Sequence, residues 1–195
     1  MTHDSSSWEL IRIRTDRLLL RPPSPSDAEP LYDLFADPEV MHDLGKEPVS
    51  MLEEAQAMIE EAIDGWRTDG VGAFILETAA GRRVVGQAGL TIFDTRSWMP
   101  STWADAGSHA QPELGWALIR AHWGNGYATE AAAAIRDWAY ESRSIEGLVS
   151  VIFADNVRSQ RVAERLGATP ADDFTPSGWT RQAVVWRHPR SLTRG

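Results

Sequence analysis

The sequence predicts an α/β fold, in which one domain has helices flanking a mixed β-sheet. Short strand-like runs alternate with segments of helical periodicity, and no internal repeat or linker divides the chain. Its 195 residues suffice for one sizeable hydrophobic core. We therefore expect residues 1–195 to form a single domain, with a core at about 10–188 and loose ends.

Seven segments have the apolar or alternating pattern of β-strands. They lie at residues 10–13, 18–21, 73–77, 84–92, 113–119, 148–153 and 181–187. A turn at 80–82 joins the third and fourth segments into a predicted hairpin.

Helices are predicted by capping residues that precede apolar residues at helical spacing. Capping-box patterns begin two helices, one with Ser26 and Glu29 and one with Ser50 and Glu53. Two later helices are predicted at 128–140 and 156–166, and Gly167 ends the second.

Composition excludes several classes of chemistry. The chain has no cysteine, so disulfides, thiolate metal sites and a cysteine nucleophile are excluded, and its five histidines lack the spacing of metal ligands. A formal net charge of -9 argues against a nucleic-acid partner and is compatible with a cationic substrate. We see neither a signal peptide nor an apolar run long enough to cross a bilayer, so we expect a cytoplasmic protein without a membrane partner.

A glycine-rich turn between a predicted strand and an alanine-rich helix is typical of an anion site. It runs from Trp123 through Gly124 and Gly126 to Ala131. Glycines let the backbone approach a phosphate closely, and the unpaired N–H groups of the first helical turn point toward it. The turn has neither the P-loop pattern nor the dinucleotide fingerprint.

Together with two further segments, this turn resembles the GNAT superfamily of N-acetyltransferases. The resemblance is closest to the branch that includes the ribosomal-protein N-terminal alanine acetyltransferases. The matching segments are 113–118, 123–131 and 156–168. They are preceded by Thr-Asp-Arg-Leu-Leu-Leu-Arg-Pro at 15–22 and Asp-Pro-Glu-Val-Met at 37–41, and the likeness spans about 15–186.

The resemblance implies a GNAT-like fold and acetyl-CoA as the co-substrate. The expected sheet is twisted, mostly antiparallel and of about seven strands, two of which splay apart at the cofactor site. The expected reaction moves an acetyl group from acetyl-CoA to a primary amine, without a metal.

The same resemblance implies which residues contact the cofactor. Backbone groups of Leu118 and Ile119 would pair with the pantetheine arm, and Asn156 and Ser159 would lie beside it. The pyrophosphate would rest on the turn, formed by Trp123, Gly124, Asn125, Gly126, Tyr127, Ala128 and Thr129. Asn156 is equally suited to cap the following helix, and the two roles are compatible.

Three residues are candidates for the chemistry. Glu113 is the candidate general base, and the backbone N–H of Leu118 the candidate oxyanion donor. Many relatives have a tyrosine as the acid where this chain has Ala163, so Ser159 is the candidate substitute. Glu113 could instead be a solvated strand-end carboxylate, and Ser159 could serve only as a hydrogen-bonding group.

The acceptor amine is left open by the sequence. Residues 94–110 lack a clear period, and we expect Trp98 and Trp103 in this loop to bind the substrate together with Glu113. A protein or peptide N-terminal amine and a small amine (polyamine, amino acid or aminoglycoside) are both compatible with the pattern. A catalytically silent acetyl-CoA-binding module and an interaction protein are the other two alternatives.

Overall fold

The computed structural model describes residues 8–143, 145–174 and 180–190. The chain ends predicted to be loose fall largely outside these ranges, at 1–7 and 191–195. The strands are β1 Ile13–Arg14, β2 Leu18–Arg21, β3 Ala73–Thr78, β4 Val84–Asp94, β5 Met99–Ser101, β6 Ala110–Leu118, β7 Val149–Phe153, β8 Thr169–Phe174 and β9 Ala183–Arg187. The helices are α1 Ala28–Phe35, α2 Pro38–Asp43, α3 Leu52–Asp69, α4 Trp103–Ala106, α5 Tyr127–Ser142 and α6 Val157–Arg165.

The strands form one mixed sheet in the order β1-β2-β3-β4-β6-β7-β9-β8, with β5 paired to β4 outside this path. All neighbours are antiparallel except β6 and β7, which run parallel. This pair has a single point of register, Glu113 opposite Val149. Beyond this point β6 continues to Leu118 and β7 to Phe153, but the two strands no longer pair with each other. A gap therefore opens between them in the middle of the sheet.

The prediction of a mixed, mostly antiparallel sheet is confirmed, but the sheet has nine strands instead of about seven. The two strands that the sequence does not predict are β5 and β8. β5 has three residues within a polar segment. β8 has the sequence Thr-Pro-Ala-Asp-Asp-Phe, and it forms at the sheet edge with a register shift between Pro170 and Asp172. Proline and aspartate are tolerated there because an edge strand leaves one row of backbone groups unpaired.

The helices pack on the sheet through small and apolar residues. Ala131, Ala132, Ile135 and Ala139 are buried along one side of α5, which contacts β4 and β6. α3 contributes Trp66, whose indole lies against Phe74 and Trp138 and donates a 2.7 Å hydrogen bond to the carbonyl of Ala73. None of the helices in the described ranges combines the length and the apolar character needed to span a bilayer.

Candidate active site

The gap between β6 and β7 contains two adjoining cavities. The larger, of about 370 Å³, runs past the end of β6, the turn before α5 and the exposed side of α6. The smaller, of about 140 Å³, lies toward the point where the strands part. Five residues line both cavities: Asp43, Leu44, Trp116, Asn156 and Ser159. The two cavities therefore form one cleft with two ends.

The turn before α5 supplies one wall of the larger cavity. Gly124 and Gly126 have φ angles of +78° and +79°, a region that L-residues other than glycine rarely adopt. Trp123, Gly124, Gly126, Ala128 and Thr129 all line the cavity. The Thr129 hydroxyl is buried and has no hydrogen-bond partner among the described residues. The first turn of α5 thus offers unpaired donors to an anion.

Asn125 and Tyr127 face away from the cleft and are not among its lining residues. Both contact Arg17, which donates a 2.8 Å hydrogen bond to the Asn125 carbonyl and stacks over the Tyr127 ring at 5.0 Å. Arg17 also pairs with Glu130 of α5 at 2.6 Å. These two predicted cofactor contacts therefore hold the shape of the turn.

At the end of β6, Leu118 and Ile119 direct their backbone groups to opposite sides. The Ile119 amide donates to Val85 at 3.0 Å, and its carbonyl accepts from the His122 amide at 2.8 Å. Since backbone groups alternate along an antiparallel strand, the Leu118 N–H points away from β4 and into the gap. The Leu118 carbonyl accepts from the Trp123 indole at 2.8 Å. Both backbone groups of Ile119 are thus bonded within the protein, whereas the Leu118 amide faces the gap. The predicted cofactor contacts of both residues stay predictions.

The first turn of α6 forms the opposite wall. Asn156 is buried, and its Oδ1 accepts from the Ser159 amide at 3.0 Å, which makes it the N-cap of α6. Its side-chain nitrogen is then the group that is left for a ligand. Ser159 lines both cavities. Ala163 is fully buried against Ile152, Ala168 and Trp186 and lines neither cavity. Its correspondence to the tyrosine of relatives stays a prediction.

Three arginines of α6, missed by the sequence analysis, line the larger cavity. Arg161 and Arg165 follow Arg158 by three and seven residues, a spacing that places all three on one face of a helix. Arg158 pairs with Glu39 at 2.6 Å and with Asp43 at 3.0 Å, and its guanidinium lies 4.4 Å from the centre of the Trp123 ring. Their helical spacing is visible in the sequence and was the available signal.

Glu113 lies at the other end of the cleft, in the smaller cavity. Its side chain is 9% exposed, and its Oε1 accepts from the Val151 amide at 3.2 Å. Burial raises the pKa of Glu113 to about 8, although the hydrogen bond from Val151 opposes the rise. A Cβ at Gly115 would lie 3.2 Å from Oε2, so glycine there leaves room for the carboxylate. Glu113 is thus a buried acid and not a solvated one.

The predicted substrate residues Trp98 and Trp103 line neither cavity. Their segment is ordered into β5 and α4, and the Trp103 amide donates a 2.9 Å hydrogen bond to Asp69 at the end of α3. The cleft is instead covered by α2 and the residue that follows it, through Val40, Asp43 and Leu44. The sequence did not assign these three residues to the site, because tertiary packing brings them to the cleft.

A family model of the acetyltransferase (GNAT) domain matches residues 17–169. The chain belongs to this family. The match covers the turn, both parted strands and α6, which together form the cleft described above. The superfamily predicted from the sequence is confirmed, whereas the ribosomal-protein branch is a finer assignment that stays a prediction.

Individual relatives agree with this assignment. The chain is 26% identical over 155 residues to the uncharacterized N-acetyltransferase YoaA of Bacillus subtilis, covering 80% of this chain and 81% of YoaA. The crystal structure of an acetyltransferase from Agrobacterium tumefaciens is 30% identical, with a TM-score of 0.73, and covers 92% of this chain and 95% of that one. The microcin C7 self-immunity acetyltransferase MccE, solved with acetyl-CoA and AMP, is 18% identical, has a TM-score of 0.70 and covers 89% and 92%.

The buried proton on Glu113 makes stability depend on pH. Between its ordinary pKa of 4.5 and about 8, the folded state keeps a proton that the unfolded state releases. The free energy of unfolding of the wild type therefore falls as pH rises through this range. Glu113→Gln has no such titrating group, so its stability does not fall in this way. The difference in Tm between Glu113→Gln and the wild type should therefore shift in favour of the variant by roughly several °C from pH 5 to pH 8, and should then stay constant.

Thermal melts at pH 5 to 9 measure this difference. Glu53→Gln, on the exposed first turn of α3, is the control and should follow the wild type at every pH. A constant difference between Glu113→Gln and the wild type across the series would contradict a buried proton.

Proposed function

We propose that this protein transfers an acetyl group from acetyl-CoA to a primary amine that has no carboxylate beside it, such as the N-terminal amine of a peptide or protein. One observation carries the proposal. A single cleft has phosphate-type donors and arginines at one end and a buried carboxylate of raised pKa at the other. A thioester donor and an amine acceptor require these two environments side by side.

The larger end fits coenzyme A by the chemistry of its groups. The unpartnered Thr129 hydroxyl and the amides of the first turn of α5 suit a pyrophosphate. Arg161 and Arg165 have no carboxylate within 4.0 Å among the described residues, so they suit further phosphate charge. The Leu118 amide and the Asn156 side-chain nitrogen are placed along the gap, where the extended pantetheine arm would add as a strand.

At the smaller end, Glu113 is suited to take a proton from the acceptor. An amine reaches the site as an ammonium ion and attacks only as the neutral form. With a pKa of about 8, the Glu113 carboxylate is a stronger base than an ordinary glutamate, and it lines the smaller cavity, which adjoins the larger one. The neutral nitrogen then bonds to the thioester carbonyl carbon.

Two groups act on the tetrahedral intermediate and its collapse. The Leu118 N–H is the donor for the oxyanion, because it points into the gap and has no strand partner there. When the carbon–sulfur bond breaks, the departing thiolate takes a proton from the Ser159 hydroxyl, which lines both cavities and is the candidate donor. The serine regains a proton from the attacking nitrogen, which is cationic in the intermediate and must lose one proton to become the amide.

The walls of the smaller cavity limit the acceptor. Among the described residues that line it are two carboxylates, Glu113 and Asp43, and no lysine or arginine. A free amino acid would bring its own carboxylate beside Glu113, and the arginine that contacts the wall of this cavity, Arg158, is already paired with Asp43 and Glu39. An unpaired carboxylate is unfavourable in such a dry site. A peptide N-terminus has a neutral amide at that position. The remaining wall is aromatic and aliphatic, with Phe93, Trp116 and Phe153 among its residues.

Replacing Gly124 by Ala tests the donor end. Gly124 lines the larger cavity, and a Cβ there meets no protein atom within 4 Å. The methyl group should obstruct the close approach of a phosphate and weaken coenzyme A binding about tenfold or more. Isothermal calorimetry with coenzyme A measures the affinity.

Gly70→Ala is the matched control for backbone strain. Gly70 ends α3 with φ +67°, also has open space around its Cβ position, and lines neither cavity. Both variants should lose similar stability, and only Gly124→Ala should lose affinity. Equal affinities in the two variants would remove the turn from the donor site.

Glu113→Gln tests the base through the pH dependence of acetyl transfer. For an acceptor amine with a pKa near 10.4, wild-type kcat/KM should rise to about pH 8 and then level off as Glu113 becomes fully ionised. The variant should be slower by about 10² or more below pH 8. Its rate should keep rising above pH 8 as neutral amine accumulates, so the deficit shrinks.

Release of the coenzyme A thiol, followed from pH 6 to 10, measures both profiles. Affinity for coenzyme A serves as the control and should be the same in both proteins. Parallel profiles for the variant and the wild type would leave the base unassigned to Glu113.

A pair of matched acceptors tests the substrate class and the reaction itself. Alaninamide should be acetylated with a kcat/KM at least about tenfold above that of alanine, because only alanine carries a carboxylate into the acidic cavity. Both acceptors are compared at one pH, so that Glu113 has the same ionisation, and each kcat/KM is divided by the fraction of neutral amine. A preference for alanine would exclude the proposed acceptor class, and no thiol release with any peptide or amine would favour a silent acetyl-CoA-binding module.

A further inference from the structure

Ser150 and His188 form a buried pair beside the point where β6 and β7 part. Ser150 is 1% exposed and His188 8%. The Ser150 Oγ lies 2.5 Å from the Leu114 carbonyl oxygen and 2.8 Å from Nε2 of His188. Neither residue belongs to a motif that the sequence analysis identified, and Ser150 lines the same small cavity as Glu113.

The hydrogen bonds of this pair fix the direction of each donor. The Leu114 carbonyl only accepts, so the Ser150 hydroxyl donates to it. The Ser150 oxygen then accepts the proton on His188 Nε2. The imidazole is therefore the neutral tautomer with a bare Nδ1, and this atom is buried without a partner among the described residues.

Two hydrogen bonds of the His188 backbone fix the position of this residue. Its amide donates to the Leu148 carbonyl at 2.9 Å, and its carbonyl accepts from the Tyr140 hydroxyl at 3.0 Å. Burial and, to a lesser extent, the charge of Arg136 on α5 together lower the pKa of His188 to about 4. The ring thus stays neutral above about pH 5 and keeps its donor on Ser150.

This pair replaces backbone pairing at the first position where the parallel ladder fails. Glu113 and Val149 are the only register partners of β6 and β7. One residue further on, the Ser150 side chain reaches β6, and the Val151 amide reaches the Glu113 carboxylate at 3.2 Å. Two side chains therefore cross between the strands in opposite directions at the edge of the gap.

We propose that Ser150 and His188 are positioning residues that hold β6 and β7 together at the mouth of the gap and thereby keep the Glu113 carboxylate buried and in place. Neither residue contacts the reacting atoms. Their effect is exerted through Leu114 and Val151, the neighbours that fix the backbone and the carboxylate of Glu113. The inference rests on the proposed function only where it concerns acetyl transfer.

The environment of Glu113 makes this effect measurable. Asp43 of α2 is the other ionisable side chain among the residues that line its cavity, and β4 places the neutral Thr91 opposite it. Burial is the main cause of its raised pKa. If the strands separate at Ser150, water reaches the carboxylate, and the pKa falls toward its ordinary value.

The experiment is a ¹³C NMR titration of the glutamate carboxyl groups in the purified full chain, with Glu113→Gln used to assign the Glu113 signal. In Ser150→Ala, the titration midpoint of Glu113 should fall by at least about one pH unit from the wild-type value. His188→Leu, which removes the donor to Ser150, should lower it in the same direction. His188→Gln places an amide N–H near the Nε2 position and should restore most of the wild-type midpoint.

Ile135→Val is the control for simple loss of stability, because Ile135 is buried in α5 and its apolar side chain takes no part in these hydrogen bonds. It should lower the melting temperature and leave the midpoint unchanged. An unchanged midpoint in both Ser150→Ala and His188→Leu, or an equal fall in Ile135→Val, would overturn the proposal.

Acetyl transfer separates this inference from the proposed function. In Ser150→Ala, kcat should fall about tenfold or more, while the KM for acetyl-CoA changes less than about threefold. A lowered midpoint without any change in kcat would leave the positioning of Glu113 intact and overturn its role as the base.

Discussion

The parting of β6 from β7 is the constraint on which the rest of the site depends. A parallel pair with one point of register leaves backbone groups of both strands without strand partners inside the protein. Buried backbone groups must be satisfied, so such a gap persists only where side chains, water or a ligand take over. Here Glu113 bonds the Val151 amide, Ser150 bonds the Leu114 carbonyl and Trp123 bonds the Leu118 carbonyl. The Leu118 amide faces the cleft, and this geometry connects the fold to acyl transfer.

The buried carboxylates of Glu77 and Asp27 have a cationic partner, whereas the buried carboxylate of Glu113 has none. Glu77 and Asp27 both pair with Arg21 at 2.6 Å, and this pairing with a half-buried guanidinium compensates for their burial. The hydrogen bond and charge of Arg21 lower the pKa of Asp27 against the effect of its burial. Glu113 has only a backbone amide, so desolvation dominates and its pKa rises. An unpaired acid costs stability, and sites that keep such a cost are commonly functional.

Local signals predicted most of the fold. Seven of the nine strands, the start of α6 at Asn156 and the glycine turn were all visible as periodicity, capping or turn chemistry. The prediction was wrong where an interaction with a more distant residue determines the local structure. The reach-back of a capping box onto α3 comes from Glu54 and not from Glu53, and β8 forms only because β9 offers an edge.

The sequence located site residues on neighbouring elements of the sheet, and it did not locate residues that only tertiary packing brings to the cleft. The turn, Asn156, Ser159 and Glu113 meet at one cleft because consecutive elements of one sheet carry them. Trp98 and Trp103 were assigned to the cleft from their position before β6 in the sequence, but β5 pairs with β4 and directs their segment toward the end of α3. Ser150, His188 and α2 reach the site through tertiary packing alone, which one sequence does not reveal.

Charge along the cleft also runs against the charge of the whole chain. A net charge of -9 attracts cations at long range, yet ions screen such a field within about 8 Å at physiological salt. Inside the cleft, the charged side chains that line it determine which ions are attracted to each end. Arg158, Arg161 and Arg165 line the larger end, whereas Glu113 and Asp43 line the smaller one. Asp43 belongs to both and pairs with Arg158 at 3.0 Å, so opposite charges meet where the cavities join. Under the proposed function, this arrangement would direct a polyanion and a cationic amine to opposite ends of the cleft, so that their reactive groups would meet between Leu118 and Glu113.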